Sequence, residues 1–138
     1  MKIVVLLYWL NFATTLAGNK DIMNWIHLTD EAQLDMIKQQ SIDQPIVIFK
    51  HSTRCSISTM AKNRLEREQT PGNIKFYYLD LLAHRNISNR IAELFGVHHE
   101  SPQILLIRSG ECIYDESHNG ISMEEIVEQV ATGTNMPG

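Results

Sequence analysis

Residues 45–58 read PIVIFKHSTRCSIS, an apolar run that passes through a short polar loop into a helical pattern. The run Ile46–Phe49 is rich in β-branched residues, which is typical of a parallel strand buried on both faces. A helix is predicted from about Cys55 to Glu68. We expect one face of this helix to carry Ile57, Met60, Ala61 and Leu65. The segment therefore predicts a strand–loop–helix unit with a cysteine at the junction.

The rest of the chain continues to alternate strand and helix patterns. Further strands are predicted at 25–28, 74–81, 103–108 and 111–114, the last two joined by the turn Ser109-Gly110. Further helices are predicted at about 30–40, at 88–95 with Ser88 as the cap, and from Ser122 onward. The order β-α-β-α-β-α-β-β-α predicts an α/β protein of thioredoxin-like fold. Its central mixed β-sheet would be flanked by helices on both faces.

Composition limits the class of protein. The chain has 138 residues, 43% of them hydrophobic, so we expect one globular domain, at 23–133, followed by a flexible tail at 134–138. The net charge is −4 and there is no basic run, which argues against nucleic acid and membrane partners. Two cysteines are too few for a disulfide scaffold or a four-thiolate zinc site. Of the six histidines, four are scattered, and the pair His98-His99 lacks a partner at ligand spacing. We therefore expect no metal site.

The N-terminal residues 1–22 form a separate extension in this prediction. Lys2 precedes an apolar run from Ile3 to Leu10, and small residues then lead to Ala17. This layout is typical of a secretory signal peptide cleaved after Ala17. The alternative is a start assigned too early, with Met23 as the true first residue.

Cys55 is the residue with chemistry in this pattern. It lies where a buried strand has ended and a helix begins, so the unpaired N–H groups of the first helical turn favour a thiolate there. Arg54 adds a positive charge next to it. A thiolate at such a site is the nucleophile of disulfide exchange. The alternative is an inert buried cysteine, but the polar neighbours of Cys55 argue against burial.

The spacing after Cys55 indicates a monothiol mechanism. Ser58 holds the place of the second thiol in a Cys-x-x-Cys pair, and serine cannot resolve a mixed disulfide. Such a protein stops at the mixed disulfide until an external thiol arrives. Ser58 can still donate a hydrogen bond to the Cys55 thiolate from one turn along the helix. The strand from Gln103 to Arg108 is predicted to run about 16 Å away from the site, and Cys112 lies just past its far end, so Cys112 is not expected to resolve the disulfide.

Two more segments are predicted to reach the same end of the sheet. Ser101-Pro102 precedes a strand, where thioredoxin-like proteins place a cis-proline beside the reactive cysteine. The loop 117–122 leads to a helix start that could bind the carboxylate of a small acidic thiol, with Gly120 permitting close approach and Arg54 assisting. The alternative for this loop is a well-capped helix, with a capping box from Ser122 to Glu125 and a staple from Ile121 to Ile126. His51 is either a residue that tunes Cys55 or a solvated surface residue.

These residues resemble one known family, the monothiol bacilliredoxins of YtxJ type. The resemblance spans about Asn24 to Val130 and is carried by VIFKHSTRCSIS at 47–58, YLDL at 78–81, SPQ at 101–103 and SHNGIS at 117–122. The Thr-x-Cys-x-Ile-Ser block is its most specific part. Members commonly have proline directly after the cysteine, and Ser56 departs from that pattern.

The resemblance implies an enzyme, a monothiol disulfide oxidoreductase of the bacterial cytosol. Cys55 would take bacillithiol from S-bacillithiolated client proteins, and free bacillithiol, the co-substrate, would then release it. A flavin-dependent bacillithiol disulfide reductase would be an indirect partner, and the protein would be a monomer without a tightly bound cofactor. The residues that tune the thiolate and form the substrate groove would be Thr53, Arg54, Ser58, Ser101 and Pro102. The residues expected to bind bacillithiol are Arg54, His118, Asn119, Gly120 and Ser122.

Two other functions fit the same residues. One is a thioredoxin-like binding module or thiolation sensor that uses the groove without turnover. The other is an iron–sulfur carrier in which Cys55 and a soluble thiol hold a cluster between two subunits. A cytosolic partner thiol also favours Met23 as the start over secretion.

Overall fold

A computed structural model describes residues 22–134. The strands are β1 (Trp25–His27), β2 (Ile46–His51), β3 (Lys75–Asp80), β4 (Gln103–Arg108) and β5 (Glu111–Ser117). The helices are α1 (Ala32–Gln40), α2 (Ser56–Arg67), α3 (Arg85–Phe95) and α4 (Met123–Thr134). The predicted signal-like segment, and all of the predicted tail except Thr134, lie outside the described residues.

The described strands form one mixed sheet in the order β1-β3-β2-β4-β5. Strands β1, β3 and β2 run parallel, β4 pairs antiparallel with β2, and β5 returns along β4. This arrangement confirms the predicted thioredoxin-like α/β fold. Because β2 lies at the centre, its carboxyl end is surrounded by the ends of its neighbours, and the loop to α2 begins there.

Each face of the sheet has its own hydrophobic core. Alternate residues of β2 face opposite sides, as the pleat of a strand requires. Val47 and Phe49 pack toward α2 and α4, while Ile46 and Ile48 pack toward α1 and α3. All four are fully buried, which agrees with the continuous apolar run that predicted a central strand.

The inner face of α2 differs from the prediction. Ala61 and Leu65 are buried as expected, but Ile57 is 45% exposed and Met60 is 58% exposed. Ser58 takes the inward position one turn before Ala61 and is fully buried. The reason is that a polar residue with hydrogen-bond partners can occupy a core position, which periodicity of apolar residues does not reveal.

Helix α3 begins one turn earlier than predicted. Ser88 is a buried residue inside the helix, and His84 holds the cap position instead. The turn before the helix is built on Asp80, whose carboxylate accepts the N–H groups of Leu82 and Ala83 at 3.2 and 3.3 Å. The helix therefore begins after the Asp80 turn and not at Ser88, which the sequence predicts as its cap.

The β4–β5 hairpin carries the chain back to the end of the sheet where α2 begins. Both turn residues have a positive φ, 52° at Ser109 and 79° at Gly110, as the predicted two-residue hairpin turn requires. Ser117 at the end of β5 pairs with Gln103, and Gln103 pairs with Lys50 of β2. Among residues 22–134, no helix is long and apolar enough to cross a bilayer.

Candidate active site around Cys55

Cys55 is the N-cap residue of α2 and is half-buried. Its backbone is extended, with φ −105° and ψ 123°, and its carbonyl accepts the Thr59 N–H at 3.0 Å. Its own N–H donates to the Ser52 carbonyl at 3.2 Å, which closes the loop after β2. The first N–H groups of α2 have no carbonyl one turn earlier within the helix. The Cys55 side chain forms no capping hydrogen bond with them in the described structure. Thr53 and Arg54 are exposed beside it.

The Ser58 hydroxyl fastens the loop that precedes Cys55. Its Oγ accepts the N–H of Ser52 at 3.0 Å and lies 2.6 Å from Nδ1 of His51. Within the described chain, Ser58 makes these two bonds and none to Cys55. The hydrogen bond that Ser58 could donate to a Cys55 thiolate is therefore not formed among the described residues. Ser58 contacts the loop that leads to Cys55 and not the Cys55 side chain.

His51 is buried behind this loop and is not the solvated residue that the sequence also allowed. Its ring stacks on Phe49 with centroids 5.6 Å apart and lies 5.5 Å from the ring of Tyr78. Burial, and then the positive charge of Lys62, hold the pKa of His51 below its ordinary value, against the opposing effect of Asp80. His51 is therefore neutral at pH 7, and we assign Nδ1 as the acceptor of the Ser58 hydroxyl proton.

The Ser101–Pro102 peptide bond is cis, as the fold predicted. Lys50 pairs with Gln103, so one step further along the ladder places Pro102 opposite His51, next to the loop that ends at Cys55. The Pro102 carbonyl accepts the N–H of His118 at 3.1 Å. Ser101 Oγ is buried and has no hydrogen-bond partner among the described residues.

Arg64 of α2 holds the loop 118–121, and sequence reasoning missed it. Its Nη2 donates to the His118 carbonyl at 2.9 Å and its Nε donates to the Ile121 carbonyl at 3.2 Å. The predicted cation for this loop was Arg54. No hydrogen bond or ion pair joins Arg54 to the loop in the part of the chain that the structure describes. No sequence signal distinguishes Arg64, because its role depends on which loop crosses the helix.

The space beside Gly120 is occupied by an acidic side chain. A Cβ added at Gly120 would lie 2.5 Å from Cδ of Glu116, so a larger residue there would require the Glu116 side chain to move. His118 has φ 57°, and its Nε2 lies 3.9 Å from a carboxylate oxygen of Glu100. The Ser122 hydroxyl accepts the N–H of Glu125 at 3.2 Å, as the capping box predicted. The bacillithiol site at His118, Asn119, Gly120 and Ser122 stays a prediction.

Cys112 lies at the opposite end of the sheet from Cys55. It pairs with Ile107 of β4, which pairs with Ile46 at the start of β2. The five steps from Ile46 to His51 span about 17 Å. Burial raises the pKa of the Cys112 thiol to about 11, and its sulfur lies 3.3 Å from the Tyr114 carbonyl. Its position agrees with the expectation that it does not resolve a disulfide at Cys55.

The geometry suits a cysteine that exchanges disulfides without a second cysteine nearby. One cysteine lies at the start of a helix, a buried serine holds the second position, and the other cysteine is remote. No group of three or more histidine, cysteine or acidic side chains in residues 22–134 could hold a metal ion. The arrangement can form a mixed disulfide at Cys55 and needs an external thiol to release it.

Comparisons with known proteins agree with this description. Residues 26–126 match the family model of the monothiol bacilliredoxin BrxC. A protein described as a candidate oxidoreductase with a thioredoxin fold is 26% identical, with a TM-score of 0.67 over 75% of this chain and 91% of that one.

Two thioredoxins are more distant. The one from Trypanosoma brucei brucei is 12% identical, with a TM-score of 0.66 over 86% of this chain and 98% of its own. The one from Malassezia sympodialis is 17% identical, with a TM-score of 0.60 over 79% and 90%. At these identities the two thioredoxins show the fold alone. The family match covers more than half of the chain, which therefore belongs to the monothiol bacilliredoxin family and is a redox thiol protein with a thioredoxin fold.

Proposed function

We propose that this protein removes bacillithiol from S-bacillithiolated proteins through a mixed disulfide at Cys55. The observation that carries the proposal is the position of Cys55 as the N-cap of α2, with Ser58 buried where a second thiol would otherwise lie. The family match supports bacillithiol as the co-substrate. A nucleophile without a resolving thiol suits a cycle in which a small thiol completes the reaction.

The reaction has two exchange steps. The Cys55 thiolate attacks the bacillithiol sulfur of the client, the S–S bond to the client breaks, and the client thiolate leaves and takes a proton. A second bacillithiol, as thiolate, then attacks the bacillithiol sulfur held on Cys55 and leaves as the oxidised dimer, which regenerates the Cys55 thiolate. A separate flavin-dependent reductase would return that dimer to the thiol. The cycle needs no tightly bound cofactor, and we place it in the cytosol, with the protein acting as a monomer.

Exposed apolar side chains beside Cys55 support a protein client. Ile57 and Met60 lie on the outer face of the first turns of α2 and are 45% and 58% exposed. Thr53, two residues before Cys55, is also exposed. An apolar surface around a nucleophile can bury part of a client chain, and methionine adapts to different partners. We propose that the client lies between this surface and the loop before Pro102.

Arg54 is the residue we propose for the malate group of bacillithiol. It is exposed next to Cys55, whereas the carboxylate of Glu116 already lies against Gly120. Charge reversal in Arg54→Glu is expected to slow the bacillithiol step more than the same step with a neutral thiol, because only bacillithiol carries the carboxylates. Equal losses with both thiols would contradict this role of Arg54.

The test follows release of bacillithiol from a bacillithiolated client protein under multiple turnover, with free bacillithiol present. Wild type and Cys112→Ser are expected to release it at the same rate, and Cys55→Ser is expected to release none. Release by Cys55→Ser would contradict the proposal. An adduct on Cys55 that free bacillithiol cannot remove would also contradict it and would indicate a thiolation sensor.

A further inference from the structure

Lys50 is a buried lysine at the carboxyl end of β2. Its exposed fraction is 0%, and its Nζ lies 2.5 Å from Nδ1 of His99 and 3.3 Å from Oε1 of Gln103. No carboxylate among residues 22–133 forms an ion pair with it. Burial lowers the pKa of Lys50 to about 8, against the opposing effect of Glu100. Burying an ammonium group among neutral partners costs folding free energy, so we expect this lysine to serve a role in the protein.

The groups around Lys50 hold three consecutive residues of one loop. Lys50 contacts His99, while Gln103 Oε1 accepts the N–H of Glu100 at 3.3 Å. Gln103 Nε2 donates to the His98 carbonyl at 3.0 Å. Two buried side chains on paired strands therefore set the shape of the segment 98–100.

This segment leads directly into the site. Ser101 and Pro102 follow it, and the strand register places Pro102 opposite His51. Lys50 and His51 are neighbours in β2 and face opposite sides of the sheet. His51 fastens the loop of Cys55 through Ser58, whereas Lys50 fastens the facing loop.

We propose that Lys50 is a positioning residue that holds the segment 98–102 in the shape that receives the client next to Cys55. The inference rests on the proposed function for the identity of the client. The ammonium of Lys50 donates to Nδ1 of neutral His99, and a neutral amine would be a weaker donor. The loop is therefore held best when Lys50 is protonated and His99 is not.

The charges around the pair define the pH window. The charged or titratable groups that face Lys50 are His99 and Glu100, and those that face His99 are Lys50, Glu100, His98 and Arg85. Asp115 reaches Gln103 at 3.4 Å. Partial burial, and then Lys50, hold the pKa of His99 below its ordinary value. The contact is thus favoured between that lowered value and about pH 8, where half of the Lys50 side chains have lost their proton.

The test uses the full chain with Lys50→Met, and Lys75→Met as the matched control. Methionine fills the space of the lysine stem without a charge. Lys75 lies at the other end of the sheet, paired with Ile46. Its loss removes a lysine without touching the segment 98–102.

The first measurement is independent of activity. In Lys50→Met, nuclear magnetic resonance is expected to show a raised pKa of the His99 imidazole, because the nearby positive charge is gone. The Glu100 amide is expected to exchange with solvent roughly tenfold faster. Neither change is expected in Lys75→Met. An unchanged His99 titration and unchanged Glu100 exchange in Lys50→Met would overturn the proposal, whatever reaction Cys55 performs.

The second measurement separates KM from chemistry. Lys50→Met is expected to raise KM for a bacillithiolated peptide roughly tenfold. Alkylation of Cys55 by iodoacetamide is expected to stay within about twofold, because the thiol is not moved. The difference in KM is expected to shrink above about pH 8. Equal loss of both reactions at every pH would overturn the role of Lys50.

Two further outcomes keep the tests distinct. If the wild type transfers no bacillithiol, the proposed function fails while the His99 measurement still decides the role of Lys50. If Lys50→Met does not fold, the wild type is titrated through about pH 8 while the Lys50 amine and His99 ring signals are followed. His99 ring signals that shift as Lys50 titrates support the contact. His99 ring signals that stay unchanged through the Lys50 titration overturn the proposal.

Discussion

Replacing Ser58 with alanine tests how the structure holds the nucleophile loop. The change removes one oxygen from a fully buried position of α2. That oxygen bonds Nδ1 of His51 at 2.6 Å and the N–H of Ser52 at 3.0 Å. Alanine leaves both groups without this partner and fills the same position with a methyl group. The expected result is a less stable protein whose loop before Cys55 is looser.

The size of the effect depends on how deeply the two groups that lose their hydrogen-bond partner are buried. A buried polar group that loses its partner costs about 1–3 kcal/mol. His51 is buried and bears the full cost, whereas Ser52 is half-buried and regains part of its loss from water. We therefore expect Ser58→Ala to lower the free energy of unfolding by about 2–4 kcal/mol. For a domain of this size that is a fall in Tm of roughly 10–20 °C.

The assay is urea unfolding followed by circular dichroism, with Ser56→Ala as the matched control. Ser56 is an exposed serine on the same helix, so its loss is expected to cost less than about 0.5 kcal/mol. The urea midpoint is expected to fall in Ser58→Ala at an unchanged m-value. A Ser58→Ala protein as stable as Ser56→Ala would refute the argument that the Ser58–His51 bond fastens this loop.

Three further predictions follow from other contacts. Arg64→Met removes both bonds to the loop 118–121, so thermal unfolding is expected to show a loss of about 1–3 kcal/mol, and an unchanged Tm would contradict it. Because burial lowers the native pKa of His51, the unfolded chain binds that proton first. The contribution of neutral His51 to the free energy of unfolding is therefore present above about pH 6.5 and is lost as the pH falls below that value. Calorimetry is expected to show a smaller fall in His51→Asn, and an equal fall would argue against it. Ser56→Pro removes the first N–H of α2, so iodoacetamide is expected to alkylate Cys55 more slowly at a fixed pH, whereas faster alkylation would contradict a donor role for that N–H.

The strand–loop–helix unit around Cys55 could be predicted because its signals are local. The apolar run Ile46–Phe49 is long enough to indicate a strand buried on both faces, and the structure buries all of it. The helix signal after it placed Cys55 at the junction, and Cys55 is the N-cap of α2. The alternation of patterns then sufficed for the fold class.

The contacts that shape the site could not be predicted because they join distant segments. Ser58 is buried through its bond to His51, whereas the periodicity of α2 favoured Ile57 and Met60 for the inner face. Lys50 follows an apolar run and gives no sign in the sequence that its partner comes from the segment 98–100. A polar residue in a core position is identified by its partner, and the partner is known only from the tertiary structure.

The central claim is that Cys55 alone forms the mixed disulfide with bacillithiol. The most direct measurement is the intact mass of the purified protein after exposure to oxidised bacillithiol, with Cys55→Ser and Cys112→Ser treated in parallel. We expect one bacillithiol adduct on wild type and on Cys112→Ser, none on Cys55→Ser, and complete removal by free bacillithiol. No adduct on wild type, or an adduct that persists in Cys55→Ser, would contradict the account.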